Sequence, residues 1–197
     1  MAGFIQQLAV GYLCRGYYFY VTGEIPTGKD PAKTDAKIIE RYEIAKSKFT
    51  RSRERRKGMA GIQYLRYQRF FIILATHGKH RFFRDETKSI RDVREKPIQF
   101  YDYSIGFIYN HQKGHPSVRI GKMRFEQLKR DFQSRAMSSR TADLANELRL
   151  LPFEPYGPVR RQLFEILRLV NRARREAGGD SLPITVLRLH RASLRVF

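Results

Sequence analysis

The sequence predicts an α+β fold in which an aromatic-rich antiparallel sheet with one early helix is followed by a C-terminal helical segment. Two observations predict it. Runs of aromatic and β-branched residues, which favour strands, recur through residues 1–120. Beyond Gly121 the apolar residues recur at helical spacing, and the chain ends in a basic tail. The sequence therefore divides into an α+β core over residues 1–120 and a helical segment over residues 121–197.

The first elements are a strand and a helix. Gly16–Ile25 is dense in aromatic and β-branched residues and stops before the turn residues Pro26–Gly28, so it predicts a strand. Asp30 followed by Pro31 is typical of a helix start, because aspartate caps free N–H groups and proline fits the first helical turn. A helix is predicted over residues 31–44. A strand and helix followed by two strands are compatible with a ferredoxin-like layout.

The middle of the chain predicts strands separated by polar turns. Ile62–Thr76 is a long apolar run that predicts one strand, or a hairpin bent near Gln68 and Arg69. The elements predicted after it are a turn over residues 77–80, a strand beginning at Arg81–Phe83, a strand over Pro97–Tyr109, a polar turn over Asn110–Pro116 and a short strand over Ser117–Ile120.

Three amphipathic helices are predicted in the C-terminal segment. The first covers Met123–Ala136, and the second covers Ser139–Leu151 with Ser139 as its N-cap. The third, Pro158–Ala177, has the clearest apolar stripe and carries arginines on its opposite face. In the tail Ile184–Phe197, apolar and basic residues alternate, which predicts a last edge strand or a basic arm.

Positive charge is concentrated in one part of the sequence. The chain holds 39 Lys and Arg residues against 19 Asp and Glu residues, a formal net charge of +20. Residues 1–45 are neutral overall, whereas residues 46–100 hold sixteen basic and five acidic residues. Because a fold does not need this imbalance, it indicates an anionic partner. We expect the contact on the basic segments and not on residues 1–45.

Basic and aromatic residues interleave in a way that suits nucleic acid. The run Lys46–Lys57 has a composition compatible with a helix, and the arginine fork can make two hydrogen bonds to one phosphate. Rings beside arginines on the strands after it are typical of a platform on which unpaired bases stack. The predicted nucleic-acid contacts are Lys46, Lys48, Arg51, Arg53, Arg55, Arg56, Lys57, Tyr64, Arg66, Tyr67, Arg69, Arg81, Arg160, Arg161, Arg168, Arg172 and Arg175.

Histidine pairs and a Glu-x-Lys motif raise a second hypothesis, a metal-dependent enzyme. Imidazole pairs in turns can hold a divalent metal ion, and some nucleases use Glu-x-Lys to bind metal and activate water. The catalytic candidates are His77, His80, Glu86 and Lys88, and the metal-binding candidates are His77, His80, His111 and His115. A divalent metal is the one cofactor considered, because the sequence has no phosphate-binding or dinucleotide-binding glycine motif.

The sequence also bears on cellular location. Cys14 is the single cysteine, which excludes an internal disulfide framework and favours a reducing, cytoplasmic setting. Met1–Cys14 lacks the basic lead-in and cleavage site of a signal peptide, so it predicts the first helix or strand of the fold. No apolar run approaches the roughly 18 residues that a membrane span needs, so no membrane partner is predicted.

Together these features favour a nucleic-acid-binding protein that grips the phosphate backbone. RNA is favoured over DNA, because neither a helix-turn-helix nor a metal-finger spacing is recognisable. The expected role is an accessory or structural component of a nucleoprotein complex, with other protein subunits as further partners. A small metal-dependent nuclease or strand-transfer enzyme of a mobile element is the alternative.

Overall fold

A computed structural model describes residues 1–111 and 113–190 of the chain. The described residues divide into two units. Unit 1 consists of Met1–Ile98 and Ile105–Ser117, and unit 2 consists of Gln99–Ser104 and residues 118–190. The predicted α+β class is confirmed, because the described residues contain seven α-helices and two antiparallel sheets.

Most elements are short. The helices are α1 (Ala2–Gln6), α2 (Pro31–Arg41), α3 (Lys48–Arg56), α4 (Arg81–Asp85), α5 (Lys122–Arg135), α6 (Thr141–Leu150) and α7 (Gly157–Glu176). The strands are β1 (Phe19–Glu24), β2 (Ile62–Tyr67), β3 (Phe70–Ala75), β4 (Arg91–Asp92), β5 (Ile98–Phe100), β6 (Tyr103–Asn110) and β7 (Lys113–Ile120). A π-helical segment, Gln7–Tyr12, and a 3-10 turn, Leu13–Arg15, continue α1 toward β1.

The four-stranded sheet of unit 1 has the order β2-β3-β1-β4. Each neighbouring pair is antiparallel, and β2 and β3 form the hairpin that the sequence left as one of two alternatives. The hairpin turn is tight because Gln68 takes a left-handed conformation, with φ 55°. Helices α2 and α3 stand between β1 and β2, and α4 stands between β3 and β4.

The core of unit 1 joins this sheet to α2 and α4. Ile62, Ile73 and Phe82 are buried in it, and Ile38 of α2 packs against the cluster. The predicted cap of α2 is present, because the carboxylate of Asp30 accepts a hydrogen bond from a backbone N–H of the first turn at 2.9 Å.

The strand predicted to begin at Arg81–Phe83 is wrong, because these residues start α4. The reason is a cap that the sequence pattern did not reveal. Nδ1 of His80 accepts a hydrogen bond from the backbone N–H of Phe82 at 3.1 Å, which satisfies a free donor at the helix start. The two adjacent rings then pack as part of a helical turn and not on opposite faces of a strand.

The second sheet has the order β5-β6-β7 and departs from the prediction in two places. The predicted strand Pro97–Tyr109 is divided into β5 and β6 by a turn in which Tyr101 takes φ 49°. The predicted turn Asn110–Pro116 is too long, since β7 already begins at Lys113.

Unit 2 contains α5, α6 and α7. The predicted apolar stripe of α7 is buried, and it comprises Val159, Leu163, Ile166, Leu167 and Val170. Helix α6 begins one residue after Arg140, and Ser139 does not cap it. Instead, the Ser139 carbonyl accepts a hydrogen bond from the buried guanidinium of Arg174.

The predicted final edge strand or basic arm covers Ile184–Phe197. In its described part, Ile184–Val186 forms a 3-10 turn and residues 187–190 form no strand, while residues 191–197 lie outside the described residues. Within the part of the chain that the structure describes, no helix is both long enough and apolar enough to cross a bilayer.

Candidate nucleic-acid interface

Unit 1 carries two cavities that share a pair of arginines. The first has a volume of about 370 Å³, and Arg15, Lys48, Arg51 and Arg55 line it. The second has a volume of about 650 Å³, and Arg15 and Arg55 line it together with Arg94. Among the described residues, no aspartate or glutamate lines either cavity. We call these two cavities the basic cleft.

Helix α3 provides three of the four cations of the first cavity. Its N-terminus is capped by Ser47, whose Oγ accepts a hydrogen bond from the backbone N–H of Thr50 at 3.1 Å. Because side chains three and four positions apart share a helix face, Lys48, Arg51 and Arg55 form one stripe. None of the nine residues of α3 is buried. The helix therefore presents cations to the cleft and contributes no side chain to the core.

Arg55 is held in place by an aromatic ring. Its Cζ atom lies 5.2 Å from the centroid of the Tyr17 ring, a cation–π distance. Tyr12 meets Tyr17 edge-on, with the centroids 5.4 Å apart. A Cβ atom at Gly61 would lie 3.1 Å from the Tyr17 hydroxyl, so the absence of a side chain lets the backbone approach this ring closely. Rings and cations thus line the same cavity.

A backbone joint ties the end of α3 to the loop after β3. The N–H of Lys79 donates to the Gly58 carbonyl at 2.9 Å, and the N–H of Ala60 donates to the Lys79 carbonyl at 3.1 Å. Gly78 makes the joint possible, because it has φ 137° and an added Cβ would lie 2.6 Å from the backbone nitrogen of Ala60. The joint also places His77 in the lining of the second cavity.

Arg94 lines the second cavity and stacks on the Tyr18 ring. The Cζ atom of Arg94 lies 4.8 Å from the centroid of the Tyr18 ring, and Nε donates to Asp92 at 2.9 Å. That hydrogen bond raises the pKa of Arg94. Burial, with the neighbouring Tyr109, raises the pKa of the Tyr18 hydroxyl, so this wall keeps a neutral phenol beside a permanent cation.

Several predicted contacts are engaged within the fold. Lys46 pairs with Glu54 at 2.8 Å and with Glu43 at 3.1 Å, and the bond to Glu54 raises the pKa of Lys46. Arg69 donates to the carbonyl of Ile25 at 3.1 Å. Arg81 pairs with Asp85 at 3.4 Å.

The predicted stacking platform on the sheet is also engaged. Arg66 binds both oxygens of Asp35 at 2.9 Å, and the Tyr64 hydroxyl donates to the same carboxylate at 2.5 Å. Burial and this hydrogen bond raise the pKa of Tyr64. Tyr67 is half-buried, 6.1 Å from the Phe4 ring between centroids. These three side chains hold helices against the sheet.

The remaining predicted cations fall into two groups. Arg53, Arg56 and Lys57 are exposed on or just after α3. The arginines of α7 belong to unit 2, where Arg161 lines a separate cavity of about 650 Å³ and Arg168 and Arg175 are exposed. Within the same helix, Arg160 donates to the Leu189 carbonyl at 3.2 Å, and Arg172 pairs with Glu176 at 2.9 Å.

Two of the candidate catalytic residues, His80 and Glu86, have partners within the fold, and both contact Tyr42. His80 caps α4, and burial lowers its pKa. Glu86 accepts a hydrogen bond from the buried Tyr42 at 2.5 Å, and Lys88, His111 and His115 are exposed. Across residues 1–111 and 113–190, no group of three or more His, Cys, Asp or Glu side chains is arranged to hold a metal ion.

Six cations and aromatic residues that line the cleft were not predicted from the sequence. These are Tyr12, Arg15, Tyr17, Tyr18, Phe19 and Arg94. Five of them lie within residues 1–45, a segment whose zero net charge predicted no contact. The signal was nevertheless present, because Arg15 stands beside a pair of tyrosines in the same aromatic–basic pattern that marked the later strands.

Comparison of the chain with protein-family models, with curated proteins and with solved structures finds no match.

Proposed function

We propose that this protein binds nucleic acid by holding its phosphate backbone in the basic cleft. One observation carries the proposal: Arg15, Lys48, Arg51 and Arg55 line a single cavity that no described carboxylate shares. Cations that converge without acidic partners attract an anion, and each phosphate that they contact releases condensed counterions. The role that fits is an accessory or structural component of a nucleoprotein complex.

The spacing of these cations on α3 supports an anionic ligand. Lys48 and Arg51 are three positions apart, and Arg51 and Arg55 are four positions apart. Like charges at such positions destabilise a helix by about 0.2–0.5 kcal/mol per pair. A bound phosphate offsets that repulsion, so ligand binding and the stability of α3 are linked.

The aromatic lining favours RNA over DNA. Tyr12 is half-buried and stands beside the cations of the first cavity, whereas Tyr17 is buried and holds Arg55, so a nucleotide can place its phosphate on the cations and its base or sugar against Tyr12. Proteins that recognise RNA mostly take unpaired nucleotides against rings and arginines, whereas the common DNA readers place a helix in the major groove.

Neutralising the cleft tests this function. In the triple variant Arg15→Gln, Lys48→Gln, Arg55→Gln, we expect the affinity for a fluorescent RNA oligonucleotide to fall by at least about a hundredfold, since three charged contacts are lost. The slope of log affinity against log salt should decrease by about 2 to 3. Fluorescence anisotropy measured over a series of salt concentrations gives both quantities.

The matched control removes the same charge from unit 2. The triple variant Arg149→Gln, Arg168→Gln, Arg175→Gln replaces three exposed arginines and should bind within a few-fold of the unmodified protein. Equal losses in the two triples would show that affinity follows net charge and not the cleft. A protein that binds anionic phospholipid vesicles, with RNA unable to compete, would contradict the proposal itself.

A further inference from the structure

One large apolar side chain on α3 is almost fully exposed. Phe49 has 86% of its surface open to solvent, although it stands in the most basic run of the chain. Aromatic rings usually find cover in a core or an interface. No residue of α3 is buried. The ring therefore has no evident role in holding unit 1 together.

The neighbours of Phe49 indicate what covers it. At about 100° of rotation per residue, Phe49, Arg53 and Arg56 share one helix face, which lies about 130° around the helix axis from the face that lines the cleft. An apolar protein surface covering this ring would have to desolvate two arginines without pairing them. A nucleic-acid strand meets both requirements, because its bases are flat and apolar on their faces while its phosphates pair with the cations.

The exposure of the base faces indicates whether the ligand is single-stranded or double-stranded. In a duplex, the faces of the bases are covered by their stacked neighbours, so a ring that stands on a helix surface cannot reach them without unstacking a step. Unpaired bases offer their faces freely. The first cavity, at about 370 Å³, is also a small concave site lined by tyrosines, which suits one nucleotide of a flexible strand better than a rigid double helix.

Arg55 offers a second stacking position within the cleft. One side of its guanidinium lies over Tyr17, whereas the residue as a whole is exposed and lines both cavities. A planar guanidinium that a ring already holds is a suitable surface for an unpaired base. Its side chain loses little further conformational entropy when the base binds.

We infer that the ligand of the basic cleft is single-stranded nucleic acid, and that Phe49 stacks on one of its unpaired bases as the strand leaves the cleft across α3. This inference rests on the proposed function and adds to it the class of nucleic acid that is bound. It assigns Phe49 to affinity for unpaired bases, Arg15 and Lys48 to the phosphates, and Arg55 to both, since the face of a guanidinium can stack on a base while its N–H groups bind a phosphate.

Binding measurements on Phe49 variants test the inference. For Phe49→Ala, we expect about tenfold weaker binding to a single-stranded RNA oligonucleotide, the size typical of one stacked base. The salt dependence of binding should stay unchanged, because no charge is removed. Phe49→Tyr keeps a ring and should bind like the unmodified protein. Binding to a duplex of the same sequence should be weaker from the outset and unaffected by either variant.

The matched control is Met123→Ala, since Met123 is an equally exposed apolar residue on α5 of unit 2, with 88% of its surface open. That variant should bind single strands normally. The inference is overturned if Phe49→Ala binds single strands as tightly as the unmodified protein, if Met123→Ala loses as much affinity, or if the unmodified protein prefers duplex. Failure of the unmodified protein to bind either nucleic acid would instead refute the proposed function.

Discussion

Helices α3 and α7 are both rich in arginine, yet the fold uses them in opposite ways. Helix α7 buries an apolar stripe, and several of its arginines have protein partners: Arg160 a carbonyl, Arg172 a carboxylate and Arg174 a buried set of acceptors. Helix α3 buries no residue, and three of its cations line a cavity without a described carboxylate, although Arg51 also donates to the Lys46 carbonyl at 2.8 Å. The arginine content of a helix therefore does not reveal whether its charge serves the fold or a ligand.

The two helices are also held in place differently. Burial of five apolar side chains fixes α7, and this burial supplies most of the stability of an amphipathic helix. Without such a stripe, α3 depends on its Ser47 cap, on the contact of Arg55 with Tyr17 and on the backbone joint at Gly78. Three predictions test this difference between the two helices.

The largest expected effect is at the buried arginine of α7. Arg174 donates to the carbonyl of Ala136 at 2.8 Å and to Thr141 Oγ1 at 2.6 Å, and it also bonds to the carbonyl of Asp180. Arg174→Ala leaves the buried Ala136 carbonyl and the two partly buried acceptors without a donor, so we expect the free energy of unfolding to fall by about 3 kcal/mol. Urea denaturation measures the loss.

The control for this prediction is the next residue, Arg175, which is exposed. Arg175→Ala should change the free energy of unfolding by less than about 0.5 kcal/mol. Similar losses of stability in the two variants would mean that the hydrogen bonds of Arg174 do not stabilise the fold.

A smaller effect is expected at the joint that holds α3. Gly78→Ala places a Cβ atom against the backbone of Ala60 and forces alanine to φ 137°, so we expect a loss of about 2 kcal/mol in the free energy of unfolding. Gly28→Ala is the comparison, because Gly28 also has a positive φ, 97°, but open space around it. That variant should lose about 1 kcal/mol. If thermal denaturation gives equal losses of stability for Gly78→Ala and Gly28→Ala, the backbone joint at Gly78 adds nothing to the stability of unit 1.

The smallest effect on stability is a gain. Neither helix has an acidic residue in its first turn. Lys48→Glu in α3 or Arg160→Glu in α7 should therefore raise the free energy of unfolding by about 0.5 kcal/mol through the helix dipole. The loss of the Arg160 bond to Leu189 makes the gain smaller in α7.

Binding distinguishes the two charge reversals. We expect about tenfold weaker RNA binding for Lys48→Glu, because the new carboxylate faces the phosphates in the cleft, and little change for Arg160→Glu. Calorimetric unfolding and anisotropy titrations measure stability and affinity on the same samples. Loss of affinity in the α7 variant alone would move the interface to unit 2.

Much of the fold follows from local sequence patterns. The β2–β3 hairpin, the Asp30 cap of α2 and the stripe of α7 were predictable because each depends on residues close together in sequence. The early start of β7 was not, because Lys113–Pro116 is polar and reads as a turn. In the fold, the ring of Phe107 covers Gly114, a packing between strands that no local pattern shows.

The candidate site was only partly predictable for a related reason. Lys48, Arg51 and Arg55 stand out as a basic run, and their shared helix face follows from their spacing. Arg15 comes to the same cavity from a segment more than thirty residues earlier, so only the fold brings it there. Conversely, Arg66 and Tyr64 look like an open platform in the sequence, but Asp35 of α2 binds both.

Because both units are built from separate segments of the chain, the positions of these segments determine which deletion fragments contain a complete unit. A fragment ending after Ser117 contains every described residue of unit 1 and also Gln99–Ser104, which belong to unit 2. It leaves Tyr103 without the Phe153 ring, 5.6 Å away between centroids, and without the N–H of Glu154. A fragment beginning at residue 118 lacks Tyr103 altogether. Deletion can therefore isolate unit 1 with an exposed tyrosine, whereas no single cut yields a complete unit 2.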